Sequence, residues 1–365
     1  MPNHRAWQFY DARTLRFEQT PTPAPAPTGV IVRVETAMVL SYHREVLDGT
    51  RNYALPPAPF VPGTDAVGVV EAVGSQVVHV KAGQRVLLIP HLVIDERTTD
   101  PAQILVGHTA LGTLRNDEAA RATRALQAHW RDGCFAEKAH WPAAAVTALD
   151  GLEQVSSLTA LALSRLIVPY GGLLRARLEP GHVVIVNGAT GQYGSAGVMV
   201  ALAMGASRVV AAGRNAAVLH DLAASLGPRV APAVLTGDWK KDIGTLLDAA
   251  GGRADLALDL LGEATSTETT LATLRALRRG GRLALMGTAT VPLPLVLQEM
   301  MVNDWEVMGV FMYPKNAPAQ LVRLAASGLL DLTRVRPHSF PLSDFPEAMD
   351  AAAAMKGLDL AALVA

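Results

Sequence analysis

The chain has 365 residues and a formal net charge of −1, and 50% of its residues are hydrophobic. This length and apolar fraction predict two domains of ordinary size, and the near-zero charge excludes the basic surface of a protein that binds nucleic acid or an anionic membrane. The single cysteine, Cys134, excludes an intramolecular disulfide and a multi-cysteine zinc site, and it favours a reducing, cytoplasmic setting.

The N-terminal residues lack the apolar core of a signal peptide. The first 150 residues alternate β-branched runs with glycine and proline turns, a pattern typical of an irregular, partly open β-barrel. Its predicted strands are Val30–Val39, Ala66–Val73 and Arg85–Ile89. The segment from His91 to Asp132 is more polar, and we interpret it as an excursion between barrel strands with a helix from Asn116 to Trp130.

From about Leu158 to Tyr313 predicted strands alternate with predicted helices, which indicates an α/β fold with a parallel, doubly wound sheet. The longest apolar run, Ala196–Met204, is predicted to be a buried helix of this region, since it is too short to span a bilayer. The carboxyl ends of the strands should form one crevice that brings Leu261-Gly262 and Gly287-Thr288 together. The predicted elements are the strands His182–Asn187, Arg208–Ala212, Ala254–Asp259, Arg282–Met286 and Glu306–Phe311, and the helices Ser195–Met204 and Ser266–Arg279.

The tail from about Pro314 has two alanine- and leucine-rich stretches that are predicted to be helical. They lie on either side of a strand-like segment, His338–Leu342. No internal repeat is apparent in the sequence.

The glycine turn after the strand His182–Asn187 is the most informative motif. It has the form A-x-G-x-x-G, with Ala189 where a dinucleotide-binding turn often has its first glycine. Small residues there let the backbone approach a pyrophosphate, and the following helix offers free N–H groups to the phosphates. Because a strand precedes the turn and a helix follows it, we predict a dinucleotide site. Its residues are Asn187, Gly188, Ala189, Thr190, Gly191, Gln192, Tyr193 and Gly194.

The end of the second strand, about 20 residues beyond the turn, distinguishes the two nicotinamide dinucleotides. An NAD-binding protein usually places an acidic residue there, whereas this chain reads Gly213-Arg214-Asn215. The guanidinium of Arg214 suits a ribose 2′-phosphate, so we predict NADP(H) as the cofactor. The alternative is that Arg214 caps or solvates the start of the next helix.

Several segments, in order along nearly the whole chain, resemble the medium-chain dehydrogenase/reductase superfamily. The glycine turn is similar to its GASGGVG motif, and other segments are similar to its PGHEGVGVVEEVG, FKVGDRV, DGGFAEY, GGRLVLMG and FPLEDINEA motifs. These other segments are Phe60–Gly74, Val80–Val86, Asp132–Glu137, Gly280–Gly287 and Phe340–Ala348.

The resemblance implies a fold of two domains with an active site in the cleft. A GroES-like β-barrel catalytic domain would comprise residues 1–157 and 314–365, and a Rossmann NADP(H)-binding domain would comprise residues 158–313. It also implies a homodimer, in which the apolar segment Val291–Met301 takes part.

Zinc alcohol dehydrogenases of the superfamily hold their catalytic metal with a Cys, a His and a second Cys or an acidic residue. In this chain the first position falls on or near Leu40-Ser41, and the His-Glu pair is replaced by Thr64-Asp65. The third ligand should lie between Ser164 and Tyr170, where neither Cys nor His occurs. Since a catalytic zinc needs three protein ligands, we predict no metal site. A metal on His43 and Asp65 would have only two ligands.

These departures place the resemblance with the zinc-free branch, which includes quinone oxidoreductases, 2-enone or alkenal reductases and enoyl thioester reductases. It implies a zinc-independent, NADPH-dependent oxidoreductase whose small-molecule partner is a conjugated carbonyl compound or a quinone. Hydride would add to the β-carbon of an activated alkene. Without a metal, hydrogen-bond donors must stabilise the developing enolate, and a general acid must protonate it.

Two tyrosines are candidates for this acid. Tyr53 lies in a segment similar to the enoyl thioester reductase stretch that carries a tyrosine proton donor, and Tyr42 stands where the zinc enzymes place a relay hydroxyl. Each could instead pack its ring at the wall of the site, with its hydroxyl on a backbone group. His43 is interpreted as a solvated loop histidine, with a proton relay as the alternative. Cys134 is interpreted as buried and inert.

The resemblance also extends the cofactor site beyond the glycine turn. Residues at the strand ends are implied to line the ribose and the nicotinamide, although Phe311 and Met312 could equally be ordinary core. Asp259 is interpreted as structural. The further cofactor residues are Gly213, Arg214, Asn215, Leu261, Gly262, Gly287, Thr288, Val310 and Phe311.

Two other functions stay open at this point. One is a zinc-free alcohol dehydrogenase or ketone reductase of the same superfamily, which the length of the excursion favours because it matches a zinc lobe. The other is a sensor or structural protein that binds NADPH and has no catalytic activity, because fold alone does not establish chemistry.

Overall fold

The computed structural model describes residues 3–111 and 117–365, so Asn116, the predicted start of the excursion helix, lies outside the described residues. The chain divides into two compact units. The antiparallel unit comprises Met1–Ser164, Pro337–Met355 and Leu360–Ala365. The parallel unit comprises Arg165–Arg336 and Lys356–Asp359. The predicted α/β architecture is confirmed.

The N-terminal part of the antiparallel unit is mostly β-structure with short helices between the strands, as its β-branched runs and turn residues predict. The strands are β1 (Asn3–Asp11), β2 (Thr14–Pro21), β3 (Gly29–Val39), β4 (Ala66–Val73), β5 (Arg85–Leu88), β6 (His91–Ile94), β7 (Ala102–Leu105), β8 (Thr109–Leu111), β9 (Lys138–Pro142) and β10 (Val146–Ala148), and the helices are α1 (His43–Leu47), α2 (Asp117–His129) and α3 (Ser157–Ala160).

The excursion folds as a small sheet of its own, with strand order β6-β7-β8, and α2 contacts β7 and β8. The buried side chains of α2 recur at helical spacing on one face, at Ala119, Thr123, Leu126 and Gln127. The helix was predicted, whereas these strands were not. Strands of three or four residues are too short to show a clear alternation in the sequence.

The parallel unit alternates strands with helices around one six-stranded sheet. Its strand order is β13-β12-β11-β14-β15-β16 and every neighbouring pair is parallel, which is the doubly wound order of a Rossmann domain. The elements are α4 (Ala162–Arg175), β11 (Val183–Asn187), α5 (Gln192–Ala203), β12 (Arg208–Gly213), α6 (Ala216–Leu226), β13 (Val230–Val234), α7 (Trp239–Ala250), β14 (Ala254–Asp259), α8 (Glu268–Arg275), β15 (Leu277–Leu285), α9 (Leu297–Asn303), β16 (Glu306–Gly309) and α10 (Ala317–Ala326).

Three details of this region differ from the sequence prediction. The strand β13 was not predicted. The predicted helix Ser266–Arg279 ends at Arg275, because Leu277 already pairs with Ala254 of β14, and this tertiary pairing overrides helix propensity. The last strand ends at Gly309 rather than Phe311.

The C-terminal tail completes the antiparallel sheet. It contains β17 (Arg336–Pro341), α11 (Phe345–Ala354) and β18 (Asp359–Val364). The sheet order is β10-β5-β4-β3-β18-β17, and β9 also pairs with β3. The two helices predicted for the tail are confirmed, because α10 and α11 lie on either side of β17. The strand β18 was not predicted; its residues pair antiparallel with β3 and bury their side chains there.

The segment Ser157–Arg175 is long and apolar enough to cross a membrane by length and composition. However, 72% of its most apolar 18-residue window is buried inside the protein. It is therefore a core helical segment of this fold.

Candidate functional site

The glycine turn lies directly after β11, at the point in the sheet where the strand order reverses. Gly188 has a φ of +84°, and the N–H groups of Gly188 and Ala189 both donate to the carbonyl oxygen of Ala212, at 3.1 and 2.9 Å. Helix α5 follows with Gly191 at its N-cap, which has no side chain to satisfy the first N–H groups. Such an N-terminus can bind an anion through its backbone.

Two glycines make this turn compact. A Cβ at Gly194 would lie 2.0 Å from the carbonyl oxygen of Gly188, and a Cβ at Gly213 would lie 2.8 Å from Cγ2 of Thr190. The first contact lets α5 start directly beneath the turn. The second places the end of β12 against Thr190, so Arg214 begins immediately beside the turn.

The residues after β12 have separate roles. Asn215 is the N-cap of α6, and its side chain accepts a hydrogen bond from the N–H of Val218 at 3.2 Å. Arg214 therefore does not cap this helix, whereas the alternative of a solvated Arg214 at the start of the helix stays open. Arg214 is exposed, next to the buried Gly213.

Asp259 organises the neighbouring strand ends. Its carboxylate accepts hydrogen bonds from Asn187 Nδ2 at 2.9 Å, Thr270 Oγ1 at 2.7 Å and the N–H of Leu261 at 3.1 Å. Burial raises the pKa of this carboxyl group, and the hydrogen bonds oppose the shift. The network ties Asn187 of β11 to Leu261 after β14, which agrees with the structural interpretation of Asp259.

The other predicted cofactor residues of this unit lie at the same edge of the sheet. The N–H of Thr288 donates to the carbonyl oxygen of Leu261 at 3.0 Å, and a Cβ at Gly287 would lie 2.2 Å from that oxygen. The N–H of Val310 donates to the carbonyl oxygen of Leu285 at 2.9 Å. The side chain of Phe311 is 55% exposed, so it is not a core residue.

In the antiparallel unit, five side chains from three separate segments of the chain come together. We call Tyr42, His43, Arg51, Tyr53 and His108 the histidine–tyrosine cluster. The ring centroid of His108 lies 5.0 Å from that of Tyr53, 5.7 Å from that of His43 and 6.1 Å from that of Tyr42. The two tyrosine rings are 6.3 Å apart, and Arg51 lies over Tyr42 at 4.3 Å.

The interpretation of His43 as a solvated loop histidine is wrong, because the side chain is 2% exposed. Its ring packs edge-on against Phe135 and Phe345, at centroid distances of 5.2 and 6.1 Å. The N–H of Leu40 donates to its Nδ1 at 3.0 Å, whereas its Nε2 is buried without a hydrogen-bond partner among the described residues.

Both histidines of the cluster are neutral. Burial lowers the pKa of His43 well below its usual value, and the nearby His108 lowers it further. Burial also lowers the pKa of His108 to about 3, with a further contribution from the charge of Arg51. Imidazoles in such surroundings act as hydrogen-bonding groups rather than as cations.

Sequence reasoning did not identify His108 as a site residue. It follows Gly107, whose φ is +66° and whose Cβ would lie 2.5 Å from the carbonyl oxygen of Gly63. This close approach of the excursion to Gly63 carries the next residue towards His43. A lone histidine in a polar segment gives no periodic or spacing signal for such a contact.

Two family models match the chain. Residues 26–151 match a model described as the alcohol dehydrogenase GroES-like domain, and residues 194–327 match a model described as zinc-binding dehydrogenase. The two matches lie in the same order as the antiparallel and parallel sheets.

The relatives are similar over most of their length. A "Putative D-xylulose reductase" from Agrobacterium fabrum is 28% identical over 305 residues, which cover 83% of this chain and 80% of the relative. Human sorbitol dehydrogenase is 26% identical over 365 residues, which cover 96% and 92%. A "putative zinc-binding dehydrogenase" from Sinorhizobium meliloti 1021, solved with bound NADP, has a TM-score of 0.79 at 18% identity and full coverage of both chains.

The residues of this chain do not fit the zinc that the second family model suggests. Leu40 and Thr64 stand at two of the positions where the superfamily resemblance places ligands, and neither offers a strong donor for zinc. Asp65 is buried, and burial raises the pKa of its carboxyl group to about 7. The Cys134 thiol donates to the backbone oxygen of Asp65, and burial raises its pKa well above the usual value. Within residues 3–111 and 117–365, no three His, Cys, Asp or Glu side chains are grouped to hold a metal.

Proposed function

We propose, from the premise that the chain belongs to the medium-chain dehydrogenase/reductase superfamily, that it interconverts a secondary alcohol or polyol and its ketone without zinc. The superfamily and the oxidoreductase class follow from the two family models and the relatives. The names of the relatives, a xylulose reductase and a sorbitol dehydrogenase, favour alcohol–ketone chemistry over the reduction of an activated alkene or a quinone.

One observation carries the zinc-free part of this proposal. Where the resemblance implies a metal, the antiparallel unit has the histidine–tyrosine cluster, whose buried neutral imidazoles and two phenols can donate hydrogen bonds. A bound nicotinamide dinucleotide supplies or accepts the hydride. The chain must then stabilise the substrate oxygen and exchange a proton with it.

Tyr53 and Tyr42 are the proposed general acids for the ketone and the general bases for the alcohol. Both rings contact the ring of His108, and Arg51 lies near both rings, at 4.3 Å from Tyr42 and 6.0 Å from Tyr53. A nearby guanidinium favours the phenolate form, so it assists proton loss in the oxidation direction.

The proposed cofactor is NADP(H). The glycine turn with Asn187 and Ala189, and the strand ends with Leu261, Gly262, Gly287, Thr288, Val310 and Phe311, would hold the dinucleotide. Arg214 would pair with the 2′-phosphate, which its exposure next to the turn supports. The structure solved with NADP has the same fold.

A second candidate is the reduction of a conjugated carbonyl compound or a quinone. The described part of the chain holds no ligand set for zinc, which favours this candidate, because an enolate spreads its charge and needs less Lewis-acid assistance than an alkoxide. Activity towards these two classes of substrate would therefore distinguish the two candidates.

The test uses protein treated with a chelator. Sorbitol, D-xylulose, simple secondary alcohols, saturated ketones, 2-enones and quinones are offered with NADP(H) and with NAD(H). We expect chelator-insensitive turnover of polyols or ketones with NADP(H). Tyr53→Phe or Tyr42→Phe should lower turnover by about 100-fold, the usual contribution of a general acid. The exposed Tyr10→Phe is the matched control.

Each other outcome identifies a different function. Turnover of enones or quinones alone would establish the second candidate, and a requirement for added zinc would refute the zinc-free site. Tight NADPH binding without turnover of any substrate would indicate a sensor or structural protein.

A homodimer and a cytoplasmic location are further parts of the proposal. The exposed apolar residues Val296, Leu297, Met301 and Val302 lie in or directly before α9, which contacts β15, the neighbour of the edge strand β16. Such a patch favours association. Light scattering coupled to size-exclusion chromatography would give the mass of the particle, and a monomer at micromolar concentration would contradict the dimer.

A further inference from the structure

His43 is a buried histidine whose tautomer can be assigned from its surroundings. The backbone N–H of Leu40 can only donate, so the Nδ1 that it contacts at 3.0 Å must be the unprotonated, accepting nitrogen. Because the ring is neutral, the proton must be on Nε2. His43 therefore presents an Nε2–H donor.

This donor has no acceptor among residues 3–111 and 117–365. Nε2 of His43 is buried and makes no hydrogen bond to any described residue, and the same is true of Nε2 of His108. The neighbours of the His43 ring are the rings of Phe135, Phe345 and His108, all nearly perpendicular to it. A buried polar group without a partner lowers stability, so its presence calls for a reason other than packing.

We propose that the Nε2–H group of His43 donates a hydrogen bond to the substrate oxygen and stabilises the negative charge that develops there in place of a metal ion. This inference rests on the proposed function. A neutral imidazole N–H can polarise a carbonyl group in this way, and a fixed donor in a site with little water is more effective than one in solution.

The geometry also limits what His43 can do. In the reduction, hydride transfer to the carbonyl carbon would oxidise the cofactor. The electron pair of the C=O π bond moves to the oxygen, which then takes a proton. His43 cannot supply that proton, because the amide of Leu40 cannot replace it on Nδ1 and the ring would be left as an anion. The proton must come from a phenol or from water, so His43 is a hydrogen-bond donor and a tyrosine is the acid.

Two variants separate the donor from the rest of the side chain. His43→Asn keeps an acceptor for the N–H of Leu40 and removes the Nε2–H, whereas His43→Gln restores an N–H near the Nε2 position. We expect His43→Asn to lower kcat by about 100-fold, the usual effect of losing one such donor, without moving the pH profile of the reaction. His43→Gln should recover part of that loss. His140→Asn, in a half-buried histidine outside the cluster, is the control and should be unchanged.

A second measurement does not depend on turnover. Propionamide carries a carbonyl oxygen that the enzyme does not reduce, and its affinity for the NADP-loaded protein reports the donor directly. We expect at least a fivefold weaker affinity in His43→Asn with an unchanged affinity for NADPH. In the wild-type protein, nitrogen NMR of the imidazole should show the Nε2–H tautomer and a shift of that nitrogen when propionamide binds.

The outcomes distinguish this inference from the proposed function. An Nδ1–H tautomer, or unchanged kcat and amide affinity in His43→Asn, would overturn the role of His43 even if alcohols are oxidised. If no alcohol or ketone is turned over, the proposed function fails, and the amide affinity still decides whether His43 binds a carbonyl oxygen. Tight Zn²⁺ binding that is lost in His43→Asn would also overturn the inference.

Discussion

The glycine turn and the histidine–tyrosine cluster differ in how their residues are arranged along the chain. The turn is one continuous stretch from Asn187 to Gly194, and its shape follows from close backbone contacts among its own residues. The cluster joins a short helix, a loop and the excursion, and its shape follows from aromatic rings that pack together. The glycine turn can therefore be predicted from the sequence, whereas the histidine–tyrosine cluster depends on tertiary structure.

The difference also concerns tolerance to change. Backbone atoms in contact cannot change rotamer to make room for a new side chain. Packed rings, by contrast, can be replaced by other rings of similar size. The turn should lose its shape when a side chain of only a few atoms is added. Substitutions in the cluster should leave the fold intact and lower catalytic activity.

The largest effect is expected for Gly194→Val. The new Cβ would lie 2.0 Å from the carbonyl oxygen of Gly188, so the turn cannot keep its shape. We expect NADPH affinity to fall by more than about 100-fold, which corresponds to about 3 kcal/mol or more. Isothermal titration calorimetry measures it. The control is Gly244→Ala on the exposed face of α7, where a Cβ meets nothing within 4 Å, and normal folding with unchanged affinity in Gly194→Val would refute the packing argument.

Arg214→Ser tests whether a single residue beside the turn determines the preference for NADPH over NADH. Loss of a charged hydrogen bond to the 2′-phosphate should weaken NADPH binding by about 1.5–3 kcal/mol, or about 10- to 100-fold. NADH lacks that phosphate, so its affinity in the same variant serves as the internal control. Equal losses for both dinucleotides would show that Arg214 acts on the fold and not on the phosphate.

Asp65→Asn tests the electrostatics beside the cluster. The pKa of Asp65 is raised from 3.8 to about 7, so the folded protein holds a proton that the unfolded chain releases between about pH 4 and 7. The free energy of unfolding should therefore fall as the pH rises through this window, by at most about 1.4 kcal/mol per pH unit. Urea unfolding at several pH values should show that Asp65→Asn lacks this slope. Asp248→Asn, at an exposed position of α7, should retain it.

The smallest effect is expected for the stability of His108→Phe. Phenylalanine keeps the ring contacts to Tyr53 and His43 and removes an imidazole nitrogen that has no hydrogen-bond partner among the described residues. The free energy of unfolding should stay equal or rise by up to about 1 kcal/mol. His108→Ala removes the ring and should lose about 2–3 kcal/mol. A phenylalanine variant as unstable as the alanine variant would mean that the imidazole nitrogen has a structural partner.

The sequence was sufficient for five of the six strands of the parallel sheet, for the glycine turn and for the position of Arg214, because local patterns determine them. It misplaced His43, whose neighbours Tyr42 and Arg44 are polar, because its burial comes from Phe135 and Phe345, which lie far away along the chain. It missed His108 for the same reason. It predicted both helices of the tail but not β18, because alanine- and leucine-rich residues do not favour a strand until β3 offers them a partner.

The place of β18 in the antiparallel sheet has a consequence for biosynthesis. The six strands of the parallel sheet come from one continuous stretch, Val183–Gly309, so this sheet can form while the chain is still being translated. The antiparallel sheet cannot form so early, because β18 lies between β3 and β17 in the sheet and follows both of them in the chain. Until β18 leaves the ribosome, Thr36–Val39 of β3 lack their partner strand, and this stretch of the nascent chain is then exposed to aggregation.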